Sequence, residues 1–145
     1  MNNEYFKKEN IILNSSLASK EEAIKKAGQI LVEQGYVSED YVPAMLQREE
    51  ISSTYMGNFL AIPHGTDEAK TAVLNSGLSV IQAPNGVDFG DGNIVKLIIG
   101  IAGKDGEHLE LLSQIAIVCS EMENVEKLVA AKSEEEIIQI LSEVE

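Results

Sequence analysis

Apolar and polar positions along this chain switch between a period near two and a period near 3.6. "NIILN" (residues 10–14) is an apolar run of strand length. Ser19 followed by Glu22 is a capping box, in which the hydroxyl accepts from a first-turn N–H and the carboxylate reaches back. Ala23, Ile24, Ala27, Ile30 and Leu31 follow at helical spacing, and Gly35 stops that helix. Ser38 is placed to cap a second helix, with Val42, Met45 and Leu46 inward, Pro43 near its start and its end near Glu50. Residues 59–62, within "GNFLAIPHGT", predict a strand that Pro63 ends, and Asp67 is placed to cap a short helix through Val73.

The second half repeats the alternation. "SGLSVIQA" (76–83) predicts a strand, "PNG" (84–86) a turn, and "VKLIIGIA" (95–102) a strand buried on both faces. After "GKDGE" turns the chain, "HLELLSQIAIVC" (108–119) has helical spacing at Leu109, Leu112, Ile115, Ala116 and Cys119. A short helix is expected over 124–131. Ser133 with Glu136 then opens a last helix that turns Ile137, Ile138 and Leu141 inward. No repeat, low-complexity tract or linker interrupts the order. Alternating strands and helices predict an α/β fold: a single-domain sandwich over residues 1–145, with a mixed, largely parallel sheet covered by helices on both faces.

Charge and composition narrow the function. The formal net charge of -13 opposes binding to nucleic acid or to an anionic membrane surface, and favours a basic partner if it is more than a solubility device. No apolar run approaches the roughly 20 residues of a membrane span, and "MNNEYFKKEN" lacks the apolar core of a signal peptide. The single cysteine, Cys119, closes an apolar helix and reads as core filler, in keeping with a reducing compartment; the chain reads as cytoplasmic. Two histidines and one cysteine make no metal-ligand spacing, and neither G-x-x-x-x-G-K-[ST] nor G-x-S-x-G occurs.

The two histidines carry the remaining chemistry. In α/β sheets the working loops lie beyond the carboxyl ends of strands, and His64 and His108 each follow such an end. His64 stands between Pro63, which fixes the backbone, and Gly65, which has no Cβ to block an approach; Thr66 adds a hydroxyl, and the amides after the turn can face an anion. A neutral imidazole there can accept a phosphoryl group, and an exposed turn histidine would satisfy the same spacing. His108, at a helix start, suits hydrogen bonding to an anion, or is an ordinary first-turn residue. Arg48 can hold two phosphoryl oxygens, or simply pair with Glu49 or Glu50.

"LQREEISSTYMGNFLAIPHGT" resembles the active-site block of enzyme IIA components of the bacterial phosphoenolpyruvate-dependent sugar phosphotransferase system, most closely the mannitol type within the mannitol/fructose/nitrogen-regulatory superfamily. "GLSVIQAPNGVDFG", "VKLIIGIAGKDGEHLELLSQIA" and the terminal "SEEEIIQILSE" extend the likeness to nearly the whole chain. The resemblance implies that His64 carries the phosphoryl group on Nε2, that His108 interacts with it, and that Arg48 lies beside the pocket. Asn58, Gly65 and Thr66 become candidates for the phosphate pocket. The implied partners are the histidine-phosphocarrier protein as donor and the sugar-specific IIB domain of a membrane permease as acceptor, with Met56, Phe59 and Ile62 available for docking. The implied relay uses no metal or cofactor, and the chain length is expected to leave no room for a fused IIB or permease domain. A fructose-type or nitrogen-regulatory homologue, acting as a phosphorylation-dependent regulator, shares the core motif.

Overall fold

The computed structural model describes residues 5–142; residues 1–4 and 143–145, including the first four positions of the N-terminal stretch and the last of "SEEEIIQILSE", lie outside the described residues. Five strands form one sheet: β1 (Ile11–Ile12), β2 (Tyr55–Gly57), β3 (Leu60–Ala61), β4 (Gly77–Asp88) and β5 (Ile94–Ala102), in the order β1-β4-β5-β3-β2. The sheet is mixed: β1 with β4 and β3 with β5 are parallel, whereas β4 with β5 and β2 with β3 are antiparallel.

Helices cover both faces. On one lie α1 (Lys20–Glu33) and α2 (Tyr41–Ile51); on the other lie α3 (Glu107–Cys119), α4 (Met122–Ala130) and α5 (Glu134–Ser142). Strand β5 explains its own composition. Leu97, Ile99 and Ile101 pack toward α3–α5, while Ile98 and Ala102 pack toward α1 and α2. A strand sandwiched this way has no solvent face, so alternation disappears from its sequence. Both capping boxes form at their hydroxyls: the Glu22 N–H donates to Ser19 Oγ and the Glu136 N–H to Ser133 Oγ, each at 3.2 Å.

Several local expectations are corrected. "PNG" does not turn the chain. It lies inside β4, where the pairing with β5 shifts register between Gln82 and Val87 and Gly86 takes φ +83°. Proline has no donor to lose at such a bulge. The reversal comes at Gly90, Asp91 and Gly92, all with positive φ. Ser38 does not cap α2; Asp40 precedes the helix and makes no side-chain cap bond. Asp67 is the first residue, not the cap, of a 3-10 turn over Asp67–Ala72. In α3 the core face is Leu111, Ile115, Val118 and Cys119, and Leu109 is 65% exposed. The predicted strand at 59–62 is the second arm of a hairpin whose first arm, β2, is too short and half-exposed to leave a pattern.

Candidate functional site

Pro63 does not end pairing, because proline lacks a donor but keeps its carbonyl. The Ile101 N–H donates to Pro63 O at 2.9 Å, and His64 forms an isolated parallel bridge with Ile101. His64 is thereby held to the last turn of the sheet rather than left on a free loop. Its Nδ1 lies 2.8 Å from Ile62 O. A carbonyl oxygen only accepts, so Nδ1 carries the hydrogen and Nε2 of the neutral ring keeps the lone pair.

Burial lowers the His64 pKa below its ordinary 6.5, and the charges of Arg48 and His108 lower it further; the bond to Ile62 and the charge of Asp67 act in the opposite sense. The balance favours the neutral ring near pH 7.

His64 and His108 line the same open cleft of about 900 Å³ with Arg48. His108 is the second residue of α3, whose start is turned by Asp105 and Gly106 in left-handed conformations. A Cβ on Gly103 would collide with the backbone N and Cα of His108, so the glycine lets α3 begin directly against the end of β5. The dipole of α3 favours an anion at this end; of its first three amides, those of Glu107 and Leu109 already donate to Lys104 O and Gly106 O.

Arg48 pairs with neither Glu49 nor Glu50. Its Nη1 donates to Ser52 O at 2.9 Å and to Ser52 Oγ at 3.1 Å. Nη2 and Nε have no partner among the described residues, leaving a two-nitrogen fork for an anion. Glu49 turns inward instead. It is 5% exposed, and its Oε1 accepts from Thr54 N at 2.9 Å and Thr54 Oγ1 at 2.7 Å. The carboxylate therefore fastens the segment that carries Ser52, and through it Arg48.

Gly65 and Thr66 line the cleft, but the Gly65 amide does not face it: that N–H donates to Tyr41 Oη at 2.9 Å. Asn58 is not in the pocket. It and Phe59 are the two positive-φ residues of the β2–β3 turn, and Asn58 Nδ2 donates to Cys119 O and Ser120 O at the far end of α3. At 1.5 Å per helical residue that is about 16 Å from His108. Ile62, 5% exposed, reaches the cleft wall; Met56, 51% exposed, is on its rim; Phe59 packs beneath Lys96, 4.7 Å from its ammonium. Sequence reasoning missed Ile51 and Tyr41, and it read Leu109 only as core. The signal for Tyr41 was present: it stands seven positions before Arg48, two turns away on the same stripe of α2.

The family model described as "Phosphoenolpyruvate-dependent sugar phosphotransferase system, EIIA 2" matches residues 4–144. The chain belongs to this family. It is a phosphotransferase component of the IIA class. It is 64% identical over 138 residues to the mannitol-specific phosphotransferase enzyme IIA component of Geobacillus stearothermophilus, covering 95% of each chain. It is 63% identical over 137 residues to the protein of the same name from Bacillus subtilis strain 168, covering 94% of this chain and 96% of that one. The fold matches the complex of enzyme IIAMTL and phosphorylated enzyme IIBMTL from Escherichia coli with a TM-score of 0.90 at 40% identity, covering 94% of this chain and 96% of that one. Among the described residues of this IIA chain, no helix is long and apolar enough to cross a membrane.

Proposed function

We propose that this chain works in the cytoplasm, as one IIA domain, carrying a phosphoryl group on His64 Nε2 between a histidine-phosphocarrier protein and a mannitol-type IIB domain. The observation that carries the reading is the His64 ring itself. Nδ1 is committed to Ile62 O, which leaves Nε2 as the nucleophile in a cleft shared with Arg48 and His108. In the first step the N–P bond of the donor breaks as the Nε2–P bond forms, and the donor imidazole leaves with the electron pair. In the second, a thiolate of IIB attacks phosphorus and the Nε2–P bond returns its pair to His64. Arg48 and the His108 end of α3 hold the oxygens; stabilisation by positioned charge is the main requirement of phosphoryl transfer.

The names of the 63–64% identical relatives support mannitol as the sugar. Ile51, Met56 and Leu109 are 72%, 51% and 65% exposed around the cleft and supply an apolar docking rim, while the net charge of -13 suits a basic carrier. Labelled phosphoenolpyruvate with the two general proteins of the system tests the assignment. The chain should acquire an acid-labile label that His64→Gln abolishes and that a mannitol-type IIB drains. Labelling of His64→Gln at the wild-type level would refute it.

A further inference from the structure

The hydroxyl of Tyr41 occupies an unusual position in the ladder that holds His64. In a parallel bridge between His64 and Ile101, both polar groups of Ile101 face the chain on either side of His64. One bond is direct, from Ile101 N–H to Pro63 O at 2.9 Å. The other side is joined through a side chain: Tyr41 Oη donates to Ile101 O at 2.8 Å and accepts from the Gly65 N–H at 2.9 Å. Burial raises the Tyr41 pKa to about 12, so the phenol keeps the proton it donates.

The ring is fixed as firmly as the oxygen. Tyr41 is 4% exposed, in the first turn of α2. A Cβ on Gly65 would stand 2.6 Å from its Cε1, so the backbone of residue 65 lies directly against the ring. His64 is thus pinned on both sides: its own Nδ1 to Ile62 O, and the following peptide to Tyr41. The cost of forming this link was met when the chain folded, which is what preorganisation of a nucleophile requires.

We propose that Tyr41 is a positioning residue for His64: its hydroxyl, inserted between the Gly65 N–H and Ile101 O, sets the ring orientation from which Nε2 reacts. This rests on the reading of His64 as the phosphoryl acceptor. The Tyr41 hydroxyl is taken up by Ile101 O and the Gly65 N–H, so it acts through the backbone that carries His64. Removing the hydroxyl leaves a buried carbonyl and an amide to find each other by closing the ladder, which rotates the His64 peptide and loosens the ring. A misplacement on the order of 1 Å is enough to slow a positioned reaction by one to two orders of magnitude.

The test uses Tyr41→Phe in the full chain, with Ile137→Val in α5 as a control for lost stability. Nitrogen NMR of His64 reads tautomer and titration without any partner. Tyr41→Phe should lower the Nδ1–H tautomer population and move the titration midpoint, and onward transfer should lose about tenfold in kcat with KM for the IIB acceptor unchanged. Ile137→Val should leave both unchanged. Wild-type His64 signals and kcat in Tyr41→Phe would overturn the proposal. An equal kcat loss in the two variants at matched Tm would also overturn it, because the effect would then be stability alone. Persistence of label on His64→Gln would instead sink the acceptor assignment, and the NMR comparison separates that failure from this one.

Discussion

Glu49→Ala should be among the most damaging single substitutions outside the hydrophobic core, and the geometry says by how much. Glu49 Oε1 accepts two bonds from Thr54, at 2.9 Å from N and 2.7 Å from Oγ1, in a place only 5% exposed. Bonds to a charged acceptor contribute about 1.5–3 kcal/mol each, and truncation leaves both donors without one. Against this, Oε2 is buried with no hydrogen bond, so removing the carboxylate also relieves a desolvation penalty. The expected net loss is about 3 kcal/mol. Lys20 is not the reason: its Nζ is 4.0 Å from Oε2 and its side chain 33% exposed, which limits the pair to about 1 kcal/mol or less. Urea unfolding of Glu49→Ala, Glu49→Gln and Lys20→Met distinguishes the terms. The glutamine keeps an oxygen for Thr54 and should lose roughly a third of what the alanine loses, with Lys20→Met smaller still. Phosphoryl transfer should fall with Glu49→Ala, because the segment that Thr54 anchors also carries Ser52, the partner of Arg48. A loss below about 0.5 kcal/mol for the alanine, or a lysine variant equal to it, would refute the argument that the Thr54 bonds dominate.

Four further outcomes can be measured directly. His64 should titrate below 6.5 by NMR; Arg48→Ala, which removes a charge that lowers its pKa, should raise the midpoint, and Asp67→Asn should lower it. Because the folded ring resists protonation, the unfolded chain binds more protons from pH 6.5 down to the folded midpoint, so the His64 contribution to stability should decline across that window as pH falls. Gly103→Ala should displace the start of α3, costing about 1–3 kcal/mol in urea unfolding and slowing transfer through loss of the His108 position. Cys119, 3% exposed and with its thiol pKa pushed up by burial to about 12, should resist thiol reagents in the native chain and react in urea.

What could be read from the sequence follows a physical division. Strand β5 was legible because burial on both faces leaves an unbroken apolar run, helices α1 and α5 because burial of one face imposes periodicity, and the serines before α1 and α5 because unsatisfied amides require an acceptor. "PNG" misled because the same residues serve a turn and a bulge; which one forms depends on the partner strand, and that pairing is nonlocal. Asn58 misled for a related reason. The family resemblance implied the pocket for it, but strand β3 carries the chain from the hairpin turn at one end of the sheet to His64 near the other. His64 and His108 could be found because α/β order places strand ends together. For Tyr41 the helical spacing to Arg48 could be read but the role could not, since no local rule reveals that a phenol from α2 will enter the ladder between Gly65 and Ile101.

Helix α3 shows why one apolar pattern can support two functions. Leu111, Ile115 and Val118 enter the core, whereas Leu109 at 65% and Ile117 at 60% remain in water, and Leu112 and Ala116 line the cleft between them. Periodicity reports that a residue is apolar at a given angle, not which neighbour covers it. On the proposed mechanism this exposure must stay modest. The carrier and the IIB domain have to use one site in turn, so each must leave quickly, which argues for a small apolar rim rather than a large one. The same requirement bears on Arg48. A guanidinium already tied to Ser52 through Nη1 and in reach of solvent binds a phosphoryl group less tightly than a buried, wholly unpaired one would. Uniformly tight binding would trap phospho-His64, and a relay gains rate only from contacts that strengthen as phosphorus moves between nitrogen and sulfur.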